Sequence, residues 1–255
     1  MARKERMARR TVRYNGSRMR VRELRGGGHG RTFVMVHGIG VSSAYFEPLA
    51  YALHSHGSVL LLDLPGFGGI PRPKRPLSIT GFADIVRAGI EDEGIENPVF
   101  IGHSMGAQVV VDLLSRHDIS SHAVLIGPPV NPAEPGIGQQ AVRLIQSAAR
   151  ESRRMRLLAS RAYLRCGPAW FIEVLPSMMR YPMREQLARV QAQTLLLVGE
   201  HDTVVPPAWV SQMLELLPHG RAETIPGAAH AVVYDQWQLV AELTLAHLGV
   251  DVEES

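Results

Sequence analysis

Cysteine is almost absent. Cys166 is the one thiol in 255 residues, so no disulfide can close within the chain, and a reducing compartment, the cytoplasm, fits best. No apolar run reaches the ~18 residues that a membrane-spanning helix needs. The charged N-terminus also lacks the apolar stretch of a secretory signal. Aromatic residues are scarce, at 6%. Only Tyr14 interrupts the basic N-terminal stretch, whereas a nucleic-acid surface wants aromatics interleaved along a basic stripe on a recognisable module. Nucleic acid is therefore not an expected partner.

What is present supports one large core. With 45% hydrophobic residues, the chain is long enough for a single α/β domain with an inserted subdomain. The net charge of +3 is unevenly spread: residues 1–25 carry +8, residues 133–190 carry +6, and the remainder carries −11. The first ten residues are expected to form a free basic arm. The arginines of residues 133–190 suggest attraction for an anionic substrate or surface, although charge runs of this kind more often form solvated helix faces.

From Thr11 the pattern is regular. Thr11–Tyr14, the Asn15-Gly16 pair and Arg18–Leu24 predict a hairpin with its arginines on one wet face. Gly26–Gly30 reads as a flexible turn. Buried strands are expected at Phe33–Val36, Val59–Leu62 and Val99–Ile101, and further strands at Ala123–Ile126, Thr194–Val198 and Ala222–Ile225. Helices are expected at Ala44–His54, Ile79–Glu93, after Ser104, at Ala208–Leu217 and at Val232–His247. Strands alternating with helices imply a parallel sheet covered on both faces. Residues 128–191 break the alternation. Pro128, Pro129, Pro132 and Pro135 open that stretch, and helical pieces follow over Gln139–Leu164, Ala169–Met179 and Met183–Gln191.

The most informative stretch is Gly102-His103-Ser104-Met105-Gly106, set between an apolar strand and an apolar helix. A serine between glycines at a strand-to-helix turn takes a strained backbone that lifts its hydroxyl clear of the sheet. A hydroxyl is too weakly acidic to attack a carbonyl unaided and needs a base held beside it. His230, after Pro226-Gly227-Ala228-Ala229, is set apart from the other histidines by that loop. Asp63 is expected to cap loop amides. His37 and His103 are expected to hold loops in place.

Four motifs in one order, His37-Gly38-Ile39-Gly40, Gly102–Gly106, Gly199–Pro206 and Pro226–His230, resemble the α/β-hydrolase fold family, specifically its small capped members. The likeness covers Thr11 to Leu248. It implies a mostly parallel eight-stranded sheet flanked by helices, with a helical cap inserted after the sixth strand. The core would be 11–127 and 192–250, and the cap 128–191. By the same resemblance Ser104 matches the nucleophile, His230 the base and Asp202 the orienting acid, which its spacing to Pro206 favours over its rival Glu200. The backbone N–H groups of Ile39 and Met105 match the oxyanion hole. Gly38, Ile39, Met105, Trp170 and Val205 would contact substrate, and neither cofactor nor metal is implied. The expected reaction is hydrolysis of a small to medium apolar carboxylic ester. A carbon–carbon bond hydrolase or thioesterase is the alternative on this fold, and a non-catalytic small-molecule receptor is the alternative of another class. A homodimer is left open.

Overall fold

The chain enters its sheet through the expected hairpin. The computed structural model describes residues 7–26, 30–130 and 136–250. β1 (Ala8–Tyr14) and β2 (Ser17–Leu24) are joined by Asn15 and Gly16, with φ of 46° and 76°, the doubly left-handed turn whose twist matches that of the strands. There follow β3 (Thr32–Val36), β4 (Ser58–Asp63), β5 (Val99–His103), β6 (His122–Ile126), β7 (Gln193–Gly199) and β8 (Gly220–Ile225). The spatial order is β1-β2-β4-β3-β5-β6-β7-β8. Pairings β1–β2 and β2–β4 are antiparallel and all others are parallel.

Two expectations for this region are corrected. β1 begins at Ala8, so residues 8–10 belong to the sheet and pair with Val21–Glu23. Arg10 also bonds Glu23 at 3.0 Å and pairs with Glu93. The arginines of β2 are not uniformly wet. Arg20 donates to Asp63 at 2.8 Å and to the Gly68 carbonyl at 2.7 Å, and Arg22 reaches Glu47 at 2.5 Å. Carboxylates on neighbouring elements draw these guanidinium groups inward. Residues 1–6 of the expected arm, the centre of the glycine-rich turn and Pro132 and Pro135 lie outside the described residues.

Helices cover both faces. α1 (Glu47–Leu53) lies between 3-10 turns at Ser43–Phe46 and His54–His56, so the expected Ala44–His54 helix is broken at both ends. α2 (Ile79–Asp92) starts where the Ser78 hydroxyl accepts the Gly81 N–H at 3.0 Å, a cap that satisfies one of the helix's orphan donors. α3 (Met105–Arg116) follows Ser104 directly. Alternation along the strands divides the core: Val34, Val36, Leu60 and Leu62 pack beneath α2 and α3, while Phe33, Met35, Val59 and Leu61 pack beneath α1 and the C-terminal helix.

Between β6 and β7 run α4 (Ile137–Arg150), α5 (Arg153–Cys166), α6 (Pro168–Met179) and α7 (Met183–Leu187). The single helical piece expected over Gln139–Leu164 is two helices. The chain breaks at Glu151-Ser152, where the Ser152 hydroxyl caps α5 by accepting the Met155 N–H at 3.1 Å. α7 ends at Leu187, short of the expected Gln191. α8 (Pro207–Leu216) precedes β8. The last expected helix is likewise split, into α9 (Val232–Asp235) and α10 (Trp237–His247), at Gln236 with φ −125° and ψ 35°. α5 packs on the α1–α10 side, and α6 and α7 on the α2–α3 side. The four helices between β6 and β7 therefore straddle the loops that leave the carboxyl ends of the strands, where ligands bind in open parallel sheets.

Candidate active site

Ser104 sits between β5 and α3 with φ 54° and ψ −123°, a conformation that costs a non-glycine residue free energy and must be enforced by its surroundings. Its N–H donates to the Ile126 carbonyl at 2.9 Å and its carbonyl accepts the Ala107 N–H at 2.8 Å. Both flanking glycines are required by packing. A Cβ at 102 would lie 2.5 Å from the Gly106 carbonyl oxygen, and one at 106 would overlap the Val36 carbonyl. The turn is thus pressed against both β3 and its own helix.

His230 lies in the loop after β8, its ring against Gly127, the residue next to Ile126. Its Nδ1 is 2.8 Å from Asp202 Oδ2, while Asp202 Oδ1 accepts the Val204 N–H at 2.8 Å. Glu200, the rival acid, instead accepts the Gly227 N–H at 2.7 Å and holds the turn before His230. With Nδ1 donating to Asp202, Nε2 of His230 is buried and has no hydrogen-bond partner. Ser104, Asp202 and His230 are 8%, 6% and 6% exposed, so the site is nearly dry.

Charge is distributed accordingly. Burial alone would raise the Asp202 carboxyl and lower the His230 imidazole. For Asp202, the charge and hydrogen bond of His230 and the Val204 N–H outweigh burial and hold it below the usual range. For His230, the Asp202 charge and hydrogen bond, with Glu151 beyond, lift it above its ordinary value. Both shifts favour the ion pair that forms when the imidazole takes up a proton.

The two loop histidines act as braces. His37 donates from Nδ1 to the Gly38 carbonyl at 2.7 Å and accepts the Leu64 N–H at Nε2, 3.0 Å away. His103 donates from Nε2 to the His230 carbonyl at 2.9 Å and accepts from the Tyr45 hydroxyl, 2.8 Å from Nδ1. That hydroxyl also accepts the Gly38 N–H at 3.1 Å. Burial and the neighbouring His230 push His103 down to about 3, so it stays neutral and the chain of bonds keeps one direction. Asp63 accepts the Ser43 N–H at 2.8 Å and pairs with Arg20; it serves loops, as expected.

Of the remaining expected residues, Gly38 lies against the serine: a Cβ there would be 3.1 Å from Ser104 Cβ. Met105 opens α3, where a helix leaves its first N–H groups without intrahelical acceptors. Ile39, Met105, Trp170 and Val205 are buried in one apolar cluster. Trp170 packs on Gly66 and on Phe67, with ring centroids 6.3 Å apart, and the Arg72 guanidinium lies 6.0 Å from its ring centre. Tyr163 of α5 and Phe171 of α6 close on Gly40, in the loop after β3. Tyr45, Ser147 and Glu151, which hold Gly38 and the His230 loop, carry no motif that a sequence alone would single out. No group of histidine, cysteine and acidic side chains arranged to hold a metal is found among the described residues. No described helix is long and apolar enough to cross a membrane.

A mostly parallel eight-stranded sheet covered by helices on both faces, with a strained serine between β5 and α3, defines a class, and comparison with known proteins agrees. The model of the alpha/beta hydrolase family matches residues 33–243, and the chain belongs to that family of enzymes. A 243-residue stretch is 21% identical to the AB hydrolase superfamily protein YisY of Bacillus subtilis, covering 85% of this chain and 91% of that one. A 234-residue stretch is 26% identical to a pimeloyl-acyl-carrier-protein methyl ester esterase of Pseudoalteromonas atlantica, covering 80% and 89%. A thermophilic esterase of Thermogutta terrifontis superposes with a TM-score of 0.79 at 19% identity, over 96% of this chain and 98% of that one.

Proposed function

We propose that the protein is a cofactor-independent serine hydrolase that cleaves small to medium apolar carboxylic esters. One observation carries the reading: His230 is bonded to Asp202 through Nδ1 at 2.8 Å, and its buried Nε2 is left unpartnered in the loop against Gly127, beside the strand end that holds Ser104. A histidine so arranged is a general base awaiting a proton. In the first half-reaction Nε2 takes the Ser104 hydroxyl proton as Oγ attacks the ester carbonyl. The N–H groups of Ile39 and Met105 carry the negative oxygen of the tetrahedral intermediate, and the imidazolium returns its proton to the departing alcohol. In the second, water gives a proton to His230 and attacks the acyl-enzyme; the tetrahedral species collapses, the bond to Ser104 Oγ breaks, the imidazolium returns its proton to that oxygen, and the carboxylic acid leaves.

The helices α4–α7 are proposed as the lid, with Trp170 and Val205 in the apolar wall. Tyr163 and Phe171 against Gly40, and Trp170 against Gly66, support this. The similarity to a methyl ester esterase favours esters over carbon–carbon bonds or thioesters. Buried, unpaired Cys166 fits work in the reducing cytoplasm.

The test combines a fluorophosphonate probe with a chain-length series of p-nitrophenyl esters, thioesters and a carbon–carbon substrate. The expected outcome is one adduct on Ser104 and the highest kcat/KM on short to medium esters. Ser104→Ala should lose the adduct and at least ~10⁴-fold of the rate while unfolding at the wild-type temperature. A folded Ser104→Ala chain with full activity defeats the assignment, and absence of any adduct on the wild type favours a receptor.

A further inference from the structure

α4 ends against the loop that carries His230. The Ser147 hydroxyl, in the last turn of α4, accepts the His230 N–H at 2.9 Å. Glu151, just past that helix end, accepts the Ala231 N–H at 2.7 Å. Four residues apart, the two side chains face the same way and take consecutive amides. Ser152 extends the seam: its N–H donates to Asp235 Oδ2 at 3.0 Å and its hydroxyl to Oδ1 at 2.6 Å. The same helix reaches the aspartate's loop, where the Thr203 hydroxyl donates to the Arg143 carbonyl at 2.7 Å and Arg150 donates to the His201 carbonyl at 3.4 Å. The acid and base loops are thus both fastened to a helix that lies outside the sheet.

Ser147 and Glu151 are themselves 0% and 9% exposed. A buried carboxylate is costly, and neither residue is needed to build the apolar core. We propose that Ser147 and Glu151 are positioning residues that hold the His230 loop from the inserted helices, so that the base is correctly placed only while α4 is seated. The proposal rests on the Ser104–His230–Asp202 reading given above.

The electrostatics are consistent with this role. Burial raises the Glu151 carboxyl to about 7, against the Ala231 N–H and His230, which act to lower it, and with Asp235 adding to the rise. Facing Glu151 are His230 from the loop after β8 and Asp235 from α9; facing His230 are Asp202, Glu151 and His103. Above about 7, where the Glu151 carboxyl is ionised, it is a second negative charge beside the imidazole and favours its protonated form.

Two variants separate the contributions. Glu151→Gln keeps an oxygen for the Ala231 N–H and removes the charge; Ser147→Ala removes the His230 acceptor and keeps the charge. For a p-nitrophenyl ester, Ser147→Ala should lower kcat and the fluorophosphonate labelling rate about tenfold, with KM within about twofold. In Glu151→Gln the acid limb of the kcat/KM profile should move to lower pH by roughly half a unit or more, because the imidazolium loses a neighbouring anion. A purely structural part would lower the unfolding midpoint and leave the limb in place. Should Ser147→Ala not fold, the limb of Glu151→Gln decides alone. Wild-type rates and an unmoved limb in folded variants overturn the proposal while leaving the triad standing. A wild-type chain that forms no Ser104 adduct removes the triad, and this proposal with it.

Discussion

Ser104 spends backbone strain to present its hydroxyl, and the residues around it are chosen for the absence of a side chain. Gly106 is the tightest case, since a methyl there would overlap the Val36 carbonyl. Gly106→Ala should therefore cost about 3 kcal/mol of stability, read as a lower denaturant midpoint, and turnover should fall even in the folded fraction as β3 and the elbow are forced apart. His230 permits a second residue-level prediction. Under the proposed mechanism His230 must be neutral to act, and although burial lowers it, Asp202 and Glu151 favour the charged form and lift it above the ordinary 6.5. Activity should rise with pH through that elevated value. Asp202→Asn should move the rise to lower pH, since burial is then less opposed, and should cost about 10⁴-fold in kcat; an unmoved rise would mean another group titrates. The triad candidates and the bracing histidines were legible in the sequence because each lies in a glycine- or proline-marked turn. Tyr45, Ser147 and Glu151 were not. Each works through one hydrogen bond to a segment distant along the chain, and no local pattern records such a bond.

Element by element, legibility followed periodicity. The central strands β3 to β7 and α2 were readable because burial on both sheet faces gives unbroken apolar runs and burial on one helix face gives spacing of three and four. Breaks inside helical stretches were hidden, as at Glu151-Ser152 and Gln236, because no glycine or proline marks them. The first is settled by side chains: Ser152 caps α5 and donates to Asp235, while Glu151 turns inward to Ala231. Ser152→Ala should remove the cap and free Asp235, lowering stability by about 1–2 kcal/mol in urea unfolding. An unchanged midpoint would show that packing of Met155 and Cys166, and not the cap, fixes the start of α5. The arginines of β2 teach a related lesson. Alternation correctly separated them from Met19 and Val21, but partners on other elements, Asp63 and Glu47, determined how deep they lie.

Across the whole molecule the basic charge gathers in two stretches, residues 1–25 and the helices between β6 and β7. α5 carries Arg153, Arg154, Arg156, Arg161 and Arg165 with no acidic residue, and none of these five forms an ion pair among the described residues. Arg154, Arg161 and Arg165 line an open groove of about 620 Å³ with Leu157 and Leu164, which are 53% and 81% exposed. The opposite face of α5 presses Tyr163 onto Gly40, in the loop that carries Ile39. One helix diameter, ~10 Å, thus separates these charges from the serine's surroundings, close to the Debye length of ~10 Å at 0.1 M salt. A field of that reach should concentrate anions over α5. An ester bearing a remote carboxylate should therefore lose roughly three- to tenfold in kcat/KM between about 20 and 300 mM salt, while a neutral ester of equal size changes little. Replacing Arg154 and Arg161 with glutamine should flatten that dependence and leave the neutral ester untouched. Equal salt responses for the two esters would instead identify the arginines as a solvated helix face with no part in substrate capture.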